Sequence, residues 1–146
     1  MDDPYHLNRF VSAQDPVYDR VRTELQAGRK TSHWMWFVFP QIAGLGHSPM
    51  AQRYAIGSLA EAKAFLQHPL LGPRLETCTG LVNHIVGRSA RSIFGTPDDL
   101  KFRSSMTLFA EVADKSALFS EALTRFYDGK PDPATLARLA GLDHEA

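Results

Sequence analysis

Lys101, Arg103, Ser104, Ser105 and Thr107 fall within seven residues of an otherwise apolar segment, with Asp98 and Asp99 just ahead of them. Two cations beside closely set hydroxyls suit an anion or a sugar, and a neighbouring carboxylate can position water or stabilise a developing positive charge. The same residues have a plainer use. Lys101 can pair with Asp98, and each hydroxyl can bond back to the carbonyl four residues earlier. A second group surrounds the run Trp34-Met-Trp36-Phe-Val-Phe39, where Trp34 and Trp36 offer stacking faces and His33, Gln41, His47 and Ser48 offer polar groups. Gly44-Leu45-Gly46 lets a ligand approach the backbone and leads through Ser48-Pro49 into a helix N-terminus. Position 49 is proline, so this is no G-x-G-x-x-G fingerprint.

Other chemistries find little support. The histidines at 6, 33, 47, 68, 84 and 144 show no H-x-x-x-H or H-E-x-x-H spacing, and Cys78 is the single cysteine, so no metal site is expected. There is no G-x-S-x-G elbow, and Cys78 falls on the apolar side of a helix, where a thiol is inert packing. Glu61, Asp98 and Asp99 are the carboxylates that could act as acid or base. Each also has a cap or first-turn role, Glu61 as the fourth residue of the box Ser58-Leu-Ala-Glu61 and Asp98 and Asp99 in the first turn of their helix.

The elements that must position these residues read as helices throughout. Six of the nine prolines follow Asp3, Asp15, Ser48, His68, Thr96 or Asp132. Proline fits the first helical position and all but His68 are favoured caps, so the pairs predict six helix starts. Apolar spacing places helices at about 4–13, 16–27, 49–56, 58–68, 69–86, 89–94, 96–113, 117–127 and 133–139. Phe102, Met106 and Phe109 form one apolar row and Leu108 and Val112 part of another, which marks 102–112 as central. The aromatic run has no polar alternation and must be buried. No second strand is available to pair with it, so a short buried helix is expected over 34–39.

The 146 residues fit one domain, 1–146, with 44% apolar and 22% charged side chains and a formal net charge of zero. That balance disfavours nucleic acid as the main partner. A lone cysteine, an acidic N-terminus and the absence of an apolar run near ~20 residues point to a cytoplasmic protein without a membrane span. The fold expected is all-α: a single multihelical domain with a short buried central helix.

The motifs His33-Trp-Met-Trp-Phe-Val-Phe-Pro-Gln41, Gly44-Leu-Gly46, Glu61-Ala62, Phe65-Leu66, His68-Pro69, Ile93-Phe-Gly95 and Asp99-Leu-Lys101 with Ser104-Ser-Met-Thr-Leu-Phe109 resemble domain-of-unknown-function family 1810 over nearly the whole chain. The resemblance implies an all-helical domain and brings no activity. Some relatives carry the name calpastatin, but that inhibitor is a disordered repeat protein and this composition is globular. More distantly, the aromatic block, the acidic helix start and the Lys-containing central helix are similar to the NADAR superfamily, which implies NAD or ADP-ribose chemistry and, in some members, cleavage of N-glycosidic bonds.

The resulting expectation is a binder of a nucleotide-like small molecule, or a hydrolase of an N-glycosidic bond to ribose or ADP-ribose, without a metal or a resident cofactor. Trp34 or Trp36 would stack on the base, with His33, Gln41, Gly44, Gly46 and Ser48 around it. Lys101 and Arg103 would hold phosphate and Ser104 and Ser105 would meet ribose hydroxyls. Asp99 or Glu61 would position water. The competing class is a non-catalytic interaction module whose surface groove binds a protein.

Overall fold

Ten helices succeed one another among the residues described by the computed structural model, 2–114 and 116–145, with side-chain surroundings given through 141. They are α1 (Asn8–Gln14), α2 (Tyr18–Gln26), α3 (Met35–Val38), α4 (Pro49–Arg53), α5 (Leu59–Gln67), α6 (Leu71–Asn83), α7 (Ala90–Phe94), α8 (Asp98–Val112), α9 (Leu118–Tyr127) and α10 (Pro133–Glu145). The aromatic run is the single turn α3, with Trp34, Met35, Phe37, Val38 and Phe39 all buried. Trp36 alone is half-buried.

The proline pairs act as caps more often than as first turns. Ser48-Pro49 and Asp132-Pro133 open α4 and α10 directly, Ser48 Oγ accepting from Ala51 N at 3.1 Å and Asp132 Oδ2 from Thr135 N at 3.0 Å. At Asp3-Pro4 and His68-Pro69 the helix begins later, yet the residue before proline still receives the early N–H groups. Asp3 accepts from Leu7 and Asn8, and His68 Nδ1 from Leu70 and Leu71. The Thr96-Pro97 peptide is cis, and α8 starts one residue beyond it.

α8 runs through the centre. Phe102 stacks on Phe94 with centroids 4.7 Å apart and meets Phe39 edge-on at 5.0 Å, while Phe109 packs on Phe65 and Phe119. These rings join α3, α5, α7 and α9 to one helix. Among the described residues a single parallel bridge, Ile42 to Ile56, adds a detail absent from the helical reading. Ile56 N donates to Gln41 O and Ala43 N to Ile56 O, both at 2.8 Å, which satisfies the backbone where the chain leaves the aromatic turn. α10 extends to Glu145, beyond the expected stop at 139.

Candidate functional site

Glu24 organises the approach to the site. It shares the buried face of α2 with Val21 and Leu25, and four donors converge on its carboxylate. Thr31 N (2.7 Å), Ser32 N (3.0 Å) and Trp34 Nε1 (3.0 Å) donate to Oε1, and the Ser32 hydroxyl donates to Oε2. Burial raises the pKa of this carboxyl, but the hydrogen bonds from Ser32, Thr31 and Trp34 together outweigh it and hold the value at about 2. Trp34, 1% exposed, is therefore a core ring with its one donor satisfied. No face of it is open for stacking.

The tethered loop delivers Lys30. Its ammonium sits 2.9 Å from Asp98 Oδ2 and above the Trp34 ring, while Lys101 reaches the other oxygen of Asp98 at 3.5 Å and lies 5.4 Å above the Trp36 ring. Asp98 is thus shared by two cations. Lys101, the less tightly held, faces a groove of about 380 Å³.

Three segments make that groove: Gln41, Leu45 and Gly46 from the loop after α3, Pro97, Leu100, Lys101 and Ser104 from the start of α8, and Asp132 and Ala134 from the start of α10. Four residues singled out in the sequence, Gln41, Gly46, Lys101 and Ser104, meet here. Gln41 and Gly46, with Gly44, also border a smaller cavity of about 150 Å³ on the α4 side of the loop. Gly46 lies so close to Ala51 that an added Cβ would stand 2.6 Å from its methyl group.

The polar groups of α8 divide. Ser104 Oγ donates to Leu100 O (3.1 Å) and lies 3.0 Å from Asp132 Oδ2, while Thr107 Oγ1 donates to Arg103 O (2.8 Å) and accepts from Asp132 N (2.9 Å). The back-bonding expected of these two hydroxyls is present, and Asp132 ties it to α10. Arg103 donates to the carbonyls of Lys130 and Pro131, both at 3.0 Å, so its guanidinium holds the approach to α10. Ser105 is fully buried and its hydroxyl has no partner among the described residues. It is not among the groove-lining residues.

The two carboxylates proposed for catalysis lie outside the lining. Ser58 Oγ accepts from Glu61 N as the cap, while the Glu61 carboxylate accepts from Gly57 N at 3.1 Å, one residue before the cap, and pairs with Arg9 at 2.9 Å. Asp99 gives its backbone carbonyl to the Tyr127 hydroxyl, and its Oδ1 is buried without a partner among the described residues. Burial, and then the Asp99 charge, push the Tyr127 pKa upward. His33 is exposed and away from the groove lining, and Ser48 serves as the α4 cap. The carboxylate in the groove is Asp132, which the sequence offered only as a helix start. Its signal was the spacing of Asp132 and Thr135 around Pro133, a cap with a hydroxyl close enough to load it. Among the described residues, no group of three or more His, Cys, Asp and Glu side chains could hold a metal, and no helix is long and apolar enough to cross a membrane.

The family described as Protein of unknown function (DUF1810) matches residues 4–139. The chain is similar to the crystal structure of the conserved hypothetical protein Rv1873 from Mycobacterium tuberculosis, at 61% identity over 94% of this chain and 99% of that one, with a TM-score of 0.93. No curated protein matches. Neither match names a ligand or a reaction.

Proposed function

We propose that this chain, which belongs to the DUF1810 family, binds a nucleotide-like small molecule in the groove between the 41–46 loop, α8 and α10. The observation that carries the reading is the meeting of Gln41, Gly46, Lys101 and Ser104, from distant parts of the chain, around one volume of about 380 Å³. That volume lies within the ordinary range for small-ligand sites. Lys101 supplies a cation for a phosphate, and Gln41 an amide with both donor and acceptor. Leu45, Leu100 and Ala134 offer apolar surface for a planar base.

Binding, rather than N-glycosidic hydrolysis, is the part this geometry supports. Hydrolysis needs a carboxylate free to act on water or on an oxocarbenium-like centre. Glu61 is held by Arg9 and Gly57, Asp99 does not line the groove, and Asp132 Oδ2 already meets Ser104 Oγ, Thr135 N and Thr135 Oγ1. One feature favours the interaction-module reading: Leu100, at the groove edge, is 55% exposed.

A thermal-shift screen with ADP-ribose, NAD, mononucleotides and free bases tests the proposal. A ligand at ~100 times its dissociation constant stabilises by about 2.7 kcal/mol, which moves Tm by several degrees in a domain of this size. The expected result is a shift with a phosphorylated ligand that Lys101→Ala removes while the ligand-free melt stays close to the parent. A flat panel on folded protein, or a shift that survives Lys101→Ala, rejects the reading.

A further inference from the structure

We infer that the free carboxylate oxygen of Asp132 accepts the vicinal diol of a ribose, so that the groove selects a ribonucleotide over its deoxy counterparts. The inference rests on the nucleotide reading above and names the sugar that the same groove takes. Asp132 lines the groove together with Lys101 and Ser104. Its two oxygens are used unequally. Oδ2 receives Thr135 N at 3.0 Å and the Thr135 hydroxyl at 2.6 Å, and Ser104 Oγ lies 3.0 Å away. Oδ1 meets no donor among the described residues, and it is not one of the buried atoms left without a partner, so it stays open to solvent.

Capping α10 requires only the contact with Thr135 N. The further contacts fix the whole residue. Asp132 N donates to Thr107 Oγ1 at 2.9 Å, its carbonyl accepts from Leu136 N at 3.2 Å, and Arg103 holds the Lys130 and Pro131 carbonyls just ahead of it. Pro131 and Pro133 restrict the backbone on either side. An acceptor held in this way is already oriented for its ligand. A carboxylate oxygen has two lone-pair positions, which match two adjacent hydroxyls. The serines of α8 do not compete for that part, because Ser104 Oγ donates to Leu100 O and Ser105 is buried outside the groove lining. Lys101 fixes the other end of the ligand. It stands about 4.5 Å along the axis of α8 from Ser104, to which Asp132 is joined. A phosphate at Lys101 and a diol at Asp132 are thus separated by about the span of one sugar ring, with Leu45, Leu100 and Ala134 left for the base.

The test is isothermal titration calorimetry of the full chain with AMP, ADP and the 2′,3′-dideoxy form of each, on the parent and on Asp132→Asn. The parent should bind the ribonucleotides roughly 10–100-fold more tightly than the dideoxy forms, the difference typical of hydrogen bonds to a charged group. Asp132→Asn should remove most of that preference with little change in Tm, because asparagine caps a helix as well as aspartate does, while its amide nitrogen replaces the charged acceptor. A preference that survives in Asp132→Asn, whether or not overall affinity falls, assigns the diol to another group and overturns the inference. A parent that binds all four probes equally well overturns it and leaves the nucleotide reading standing. A parent that binds none of the four overturns both. Should Asp132→Asn fail to fold, Asp132→Ser keeps a capping oxygen, has no second one, and carries the same comparison.

Discussion

Replacing Glu24 by glutamine removes the one charge on which Thr31, Ser32 and Trp34 converge while keeping its shape. The carboxyl is held at about 2 against an ordinary 4.5. A shift of that size corresponds to about 3 kcal/mol of stability at neutral pH, and screening by solvent along the loop lowers the expected net value to ~1–2 kcal/mol. Because the folded value lies below the unfolded one, the unfolded chain binds the extra proton between them. The contribution is complete above about 4.5 and is lost as pH falls toward 2. Glu24→Gln should therefore melt ~3–6 °C below the parent at pH 7. In urea titrations followed by far-UV circular dichroism, the stability gap should hold at pH 5.5 and fall to roughly half or less by pH 3. A gap that is absent at pH 7, or equal at pH 7 and pH 3, would refute the claim that the ionised carboxylate organises this loop. The consequence reaches the site, because the tethered loop carries Lys30 to Asp98 and Asp98 is the counter-ion of Lys101.

Neighbouring hydroxyls on α8 should behave oppositely. Ser104→Ala breaks contacts to Leu100 O and Asp132 and should lower stability by about 1 kcal/mol, whereas Ser105→Ala deletes a buried unpartnered hydroxyl and should leave the melt unchanged or raised. Arg9 serves the carbonyls of Tyr5, His6, Arg53 and Ala55 as well as Glu61, so Arg9→Met should cost ~2–4 kcal/mol in urea unfolding. Glu61→Gln should cost less than Arg9→Met and leave the affinity of any groove ligand unaltered by calorimetry. Burial pushes the Cys78 thiol up to about 12, so Ellman's reagent should react with it only at the rate of unfolding.

The helices were legible because their signals are local. Ser58 with Glu61 and Ser48 with Pro49 announce helix starts within four residues, and each serine caps its helix as expected, although the Glu61 carboxylate returns to Gly57 N rather than to Ser58 N. Burial of the aromatic run followed from the lack of polar residues within it. The position of Asp132 in the groove did not follow, because it depends on α10 packing beside α8, a contact between residues 28 positions apart. Glu24 was legible in part: its spacing from Val21 and Leu25 places a carboxylate on an apolar face, and such a group must be met by donors. Its partners, however, come from a loop without periodicity.

Helical geometry explains why α8 offers the groove only part of its polar set. Successive residues rotate by about 100°, so Leu100 and Ser104 fall on nearly the same line, with Lys101 to one side. These three line the groove. Ser105 instead falls near the line of Phe109 and Phe102, which explains its complete burial, while Arg103 to the other side, and Thr107 one turn beyond it, meet the chain before α10. A run of adjacent polar residues on a central helix is therefore divided among groove, core and helix contact by rotation together with position along the axis, since Thr107 lies only about 20° from Leu100 but two turns further on. The cation left facing the groove is Lys101, whose counter-ion is already shared. An added phosphate there would meet a charge that Asp98 only partly neutralises, which is why the ligand screen turns on that side chain.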